Sequence, residues 1–164
     1  MRTIRTDLTQ EWLREGQVLG CVTTLKQALR GCKMVPLGAM DYVAAAAPAF
    51  AQARLAALQG SMRAGSVGAA TPQLTAHNFS TLPFIAFNRK DDMQTEFVGK
   101  AFDLKRVTLN QLFVPLSEGQ MCAVLAGWGV RVVPRLLTEG LMQQGALVNF
   151  APRYSLPIQL YWHC

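Results

Sequence analysis

Apolar residues recur along this chain in short bursts, and the spacing within each burst predicts its element. Near the start, Asp7 is placed to cap a helix with Gln10 three residues on, Leu8 and Trp12 share a face, and Gly16 stops the element. Residues 18–24 are compact and rich in β-branched side chains, so they read as a strand that runs into a loop over 25–31. Two further extended segments, 34–37 and 42–46, are separated by Gly38, and Pro48 closes the second. Residues 49–58 are rich in Ala and Leu and predict a helix, while the Gly/Ser/Ala stretch 60–72 predicts a mobile surface loop.

The second half is more regular. A short buried strand is expected at 82–87, and Asp91 or Asp92 then caps a helix with Met93, Phe97 and Ala101 on one face. The next strand is 109–114. Ser117 starts the helix after it, with Gln120 completing a capping box, Met121, Val124 and Leu125 facing inward, and Gly127 ending the element. A strand at 130–133, a short helix from Pro134 to near Gly145, an extended piece at 147–150 and an alternating strand at 157–164 complete the chain. Alternation of strand and helix argues for a mainly parallel α/β sheet in two lobes, residues 16–47 and 82–150. In such sheets ligands sit beyond the carboxyl ends of the strands.

Composition narrows this picture. A length of 164 residues fits one domain or two small lobes, and 51% hydrophobic residues exclude disorder. The charged fraction is 16%, below the roughly 25% of an average domain, which suggests a surface partly covered, either by a partner chain or by further sequence of the same protein. Lys and Arg exceed Asp and Glu by 16 to 10, but the basic residues form no run, so the net charge of +6 gives little reason to expect nucleic-acid contact. The absence of a secretory leader and of any apolar stretch long enough to span a bilayer leads to a cytoplasmic expectation. Cys21, Cys32, Cys122 and Cys164 are isolated and read as buried small hydrophobes.

Candidate chemistry is sparse. The only histidines are His77, in a polar stretch read as a solvated loop, and His163, at the end of an aromatic strand. No nucleophile elbow, zinc-protease motif, phosphate loop or dinucleotide fingerprint occurs, and no ligand spacing suggests a metal, so the expectation is a non-enzyme. What resembles a site is polar residues at strand ends: Thr23 and Thr24, residues 88–92 with Asp91 and Asp92, and Ser117 with Glu118 at a helix start. Helix capping explains the carboxylates and Ser117 as well as ligand contact does, since a helix N-terminus accepts a carboxylate from either source.

The segments LREGQVLGCVTT, LGAMDYVAAAAPAFA, PFIAFNRKDDMQ, VPLSEGQMCAVLAGWGVRVVP and LYWHC, in that order, resemble the effector-binding domain of LysR-type transcriptional regulators. GCVTT, LGAMDY, DDM and LYWH look more narrowly like the arginine/lysine-responsive branch, whose members have been called arginine-permease regulator and chromosome-initiation inhibitor. The resemblance implies a two-lobe periplasmic-binding-protein-like fold of type 2 with the first lobe incomplete. Residues 1–47 would form the partial first lobe, 48–155 the second, and 156–164 a strand returning to the first. The family's helix-turn-helix, linker helix, opening strand and helix, and closing helix have no counterpart here, so the chain is expected to be a fragment that neither binds DNA specifically on its own nor stays monomeric.

The implied function is effector sensing, with lysine or arginine in the interlobe cleft. Asp91 or Asp92 would meet the side-chain cation, Ser117 and Glu118 would lie at the helix end receiving the α-carboxylate, and Thr23 and Thr24 would approach from the other lobe. The implied partners are the effector, further copies of the chain, and DNA through the helix-turn-helix only, with no cofactor and no membrane. The competing expectation is a transporter's solute-binding protein of the same fold, against which the missing leader argues.

Overall fold

The computed structural model describes residues 4–62 and 75–164. Helix α1 (Ile4–Arg14) comes first, so Asp7 lies within it rather than at its cap. Strand β1 (Cys21–Thr23) follows, and then β2 (Met34–Ala46), one thirteen-residue strand where two segments were expected. Gly38 does not break β2. It sits at φ 104°, a conformation open to glycine, where pairing slips by one position between Pro36 and Gly38. Helix α2 (Pro48–Met62) takes in the start of the expected 60–72 loop, and the rest of that loop lies outside the described residues.

Helix α3 (Ala76–Ser80) carries His77, exposed as expected but helical rather than in a loop. Strand β3 (Pro83–Ala86), helix α4 (Met93–Ala101), strand β4 (Asn110–Phe113), helix α5 (Ser117–Leu125), strand β5 (Arg131–Pro134), helix α6 (Arg135–Gln143), strand β6 (Val148–Asn149) and strand β7 (Leu156–His163) complete the order.

Only part of the expected parallel sheet forms. β3 pairs with β4 in parallel, and a parallel bridge joins Phe84 to Val130 just ahead of β5. The larger sheet, in order β1-β7-β2-β5 with β6 also on β2, is antiparallel throughout. A helix crossover aligns strands in parallel, and that local logic holds from β3 through α4 to β4. Strands β2 and β7 come from distant parts of the chain and run past each other in opposite directions, which no local pattern announces.

β2 ends in the run 43–46, where every residue is buried because both faces of the strand are covered. Ala44 and Ala46 face a core of Phe79, Phe84, Phe97, Val98, Val130, Phe150 and Leu156; Ala45 faces a second core of Ile85, Ala123, Val124, Val133 and Leu147. A third, smaller cluster joins Leu13, Cys21 and Leu29. Cys21 is thus buried as expected, whereas Cys122 and Cys164 are exposed. Leu125 is also exposed, at 40%, where an inward orientation was expected.

Candidate functional site

A cavity of about 330 Å³ lies beyond the carboxyl ends of β3 and β4. Phe87 and Asn88, which follow β3, line it together with Met93 and Gln94 from the first turn of α4. Ser117 and Gln120 of α5, Arg131, Val132 and Pro134 of β5, and Tyr42 of β2 complete most of its wall. Two nine-residue helices therefore begin at one opening, each presenting the N–H groups of its first turn.

The turn after β3 is tied by its own side chains. Asn88 accepts the Lys90 N–H at 2.8 Å, and Asp91 accepts the Phe87 N–H at 2.9 Å and the Met93 N–H at 3.3 Å. Asp91, half-buried and lining the cavity, thus closes the turn and serves the start of α4. Asp92 occupies the N-cap position without a side-chain cap bond. The expected capping box on α5 does not form either. Leu116 is the N-cap, Ser117 is already helical, and Gln120 donates instead to the Val114 carbonyl at 2.9 Å.

Asp91, Arg131 and Tyr42 feel one another's charge. Burial pushes the Tyr42 phenol above its ordinary range, the Arg131 charge opposes that rise and the Asp91 charge adds to it. Burial lowers the Arg131 pKa, which Asp91 and then Tyr42 partly restore. Arg131 Nε, Gln94 Oε1 and Gln120 Oε1 are buried with no hydrogen-bond partner.

Of the residues singled out in the sequence, Asp91 and Ser117 come together in this cavity. Asp92 belongs to a separate open hollow with Thr95, Glu96 and Lys105, and Glu118 is exposed and does not line the cavity. Thr23 is buried in β1, where its hydroxyl accepts the Leu25 N–H at 3.0 Å; Thr24 beside it is half-buried. Thr23 is level with Tyr161, which pairs with Pro36, and from Pro36 to Tyr42 the strand rises roughly 20 Å at about 3.3 Å per residue. A single amino acid does not bridge that distance. Tyr42, Gln94, Gln120 and Arg131 were not expected as site residues, and a glutamine in a first helical turn or an arginine opening a strand carries no mark that separates it from a solvated residue.

A cleft at the carboxyl ends of parallel strands, flanked by helix N-termini and by two long antiparallel strands, defines a ligand-receiving α/β domain of the two-lobe periplasmic-binding-protein kind. No family model matches the chain. Solved structures and curated relatives place it all the same: the C-terminal domains of a LysR family protein from Agrobacterium tumefaciens str. C58 superpose with a TM-score of 0.74 at 31% identity, covering 96% of this chain and 68% of that one. The chain belongs to the LysR family of transcriptional regulators. ArgP from Mycobacterium tuberculosis gives a TM-score of 0.80 at 32% identity over 97% of this chain and 49% of that one. The HTH-type transcriptional regulator LysG of Mycobacterium tuberculosis (strain ATCC 25618 / H37Rv) is 32% identical over 158 residues, 96% of this chain and 46% of that protein. Full-length LysG from Corynebacterium glutamicum with bound effector Arg shares the fold, with a TM-score of 0.68 at 23% identity over 96% of this chain and 47% of that one. The chain spans about half the length of the curated relatives it matches.

Proposed function

We propose that this chain is the effector-sensing part of a LysR-type regulator and that its cavity takes a basic amino acid, lysine or arginine. The observation that carries the reading is that the Asp91 carboxylate and the start of α5 at Ser117 line one cavity, an anion for the ligand's cation beside N–H groups for its α-carboxylate. The names of the relatives, and the arginine held as effector by the Corynebacterium LysG, support the same ligand class. The chain acts in the cytoplasm and is not an enzyme. It works as a homo-oligomer, and contact with DNA belongs to a helix-turn-helix of the whole regulator. Residues 1–47 and 156–164 contribute to one lobe and 48–155 form the other; the small core around Cys21, separate from the cores beside the cavity, supports two lobes, and strands β2 and β7 pass from the one to the other.

Calorimetry of the chain with L-lysine, L-arginine and L-leucine tests the reading. Lysine or arginine binds with a measurable heat and leucine does not; leucine binding as tightly as both would overturn the basic-effector assignment.

A further inference from the structure

Three polar atoms on residues that line the cavity are buried without partners, and together they describe the group that belongs there. Gln94 and Gln120 are 1% and 0% exposed. Each side-chain NH2 donates to a backbone carbonyl, Ile85 O at 2.9 Å and Val114 O at 2.9 Å. A carbonyl accepts only from a donor, so these bonds fix which amide atom is the nitrogen, and the two oxygens are left buried with no donor. Arg131 Nε is the converse case, a buried cationic donor with no acceptor. Asp91 acts on Arg131 electrostatically, and its oxygens, which take the Phe87 and Met93 N–H groups, keep lone pairs for a further donor. Buried groups left in this state cost free energy unless something supplies the complement. The complement is an ammonium for the two oxygens and a carboxylate for the guanidinium, side by side on one molecule.

We propose that Arg131 receives the α-carboxylate of the ligand and that Gln94 Oε1 and Gln120 Oε1 receive its α-ammonium, so that the cavity selects free α-amino acids over amines of the same side chain. The assignment rests on reading the cavity as the effector site, and it leaves Asp91 for the side-chain cation. A guanidinium binds a carboxylate through two parallel bonds where geometry allows.

The test is calorimetry of the chain with L-lysine, cadaverine, Nα-acetyl-L-lysine and L-leucine. Cadaverine is lysine without its carboxylate, and the acetyl derivative lacks the α-ammonium. On the unaltered chain, lysine binds roughly 10- to 100-fold more tightly than either, the span expected for one charge-assisted bond. In Arg131→Gln, lysine affinity falls by the same factor to the level of cadaverine, whose own affinity is unchanged. The ligand comparison on the unaltered chain stands even if that variant fails to fold, and a melting curve reports whether it has. Equal affinities for lysine and cadaverine, or an equal loss for both in Arg131→Gln, would overturn the head-group assignment while leaving a basic effector in place. Leucine binding like lysine, with the same dependence on Arg131, would uphold the head-group assignment and overturn the basic-effector reading. Absence of binding by every probe would overturn both.

Discussion

Asp91 and Asp92 carry the same side chain on adjacent residues, and the fold separates them by what their oxygens meet. Asp91 accepts two backbone N–H groups and lines the cavity; Asp92 makes no side-chain cap bond and lies in an open hollow. Asn presents no charge to a ligand, and it offers one acceptor oxygen where Asp91 uses both, Oδ2 for the Phe87 N–H and Oδ1 for the Met93 N–H. Asp91→Asn is therefore expected to lose one of the two bonds and about 0.5–1.5 kcal/mol of unfolding free energy while lysine binding weakens roughly tenfold or more. Asp91→Ala loses about 1–2 kcal/mol of stability as well, because the turn and the helix start lose their acceptor. Asp92→Asn changes neither quantity. Urea unfolding and calorimetry of the three variants check this, and a loss of lysine binding in Asp92→Asn equal to that in Asp91→Asn would place the ligand elsewhere. Of the cavity's polar residues, Asp91 and Ser117 were legible in the sequence because each follows a strand at the start of a helix. Gln120 drew notice only as a cap partner for Ser117, and its amide turns instead to the Val114 carbonyl, a choice made by tertiary position. Arg131 and Tyr42 reach the cavity through the pairing of β2 with β5, which residue type does not record.

Most elements were legible from periodicity to within a few residues, because burial of one face imposes spacing locally. What periodicity withheld was how the elements join. β2 looked interrupted at Gly38, yet the bulge there lets one strand continue along β7. The link from β3 to the chain ahead of β5 is made by Val130 N–H to Pro83 O at 2.9 Å and Ile85 N–H to Val130 O at 2.8 Å. Gly129 belongs to that joint. A Cβ on it would stand 2.3 Å from the Pro83 carbonyl oxygen, backbone that can yield only by opening the bridge. Gly129→Ala is expected to cost about 1–3 kcal/mol in urea unfolding, in the range of an overpacked site. Gly140, exposed within α6 and with nothing within 4 Å of a built Cβ, gives the opposite sign: Gly140→Ala gains up to about 1 kcal/mol from helix propensity. Equal and small effects at both glycines would mean that the joint is looser than its geometry.

At the scale of the whole molecule, the cavity wall is assembled from β2, the turn after β3, α4, α5 and β5, segments that no stretch of contiguous sequence could supply. A ligand held among them binds the folded chain and not the unfolded one, so its affinity appears as stability. At a free lysine concentration of 100 times Kd the stabilisation is about 2.7 kcal/mol. For a chain of this length each kcal/mol moves the midpoint by roughly 2–4 °C, so lysine should raise Tm by about 5–11 °C. Cadaverine at the same concentration raises it less, by the affinity that the missing carboxylate removes. The charges that carry this effect are partly buried, Arg131 and Asp91 among them, and salt screens such groups far less than exposed ones. The lysine shift measured at 0.1 M and at 0.5 M salt with one fixed lysine concentration should therefore agree to within a few degrees. A shift that disappears at the higher salt would assign it to loose attachment at surface carboxylates and remove the cavity's claim to the ligand.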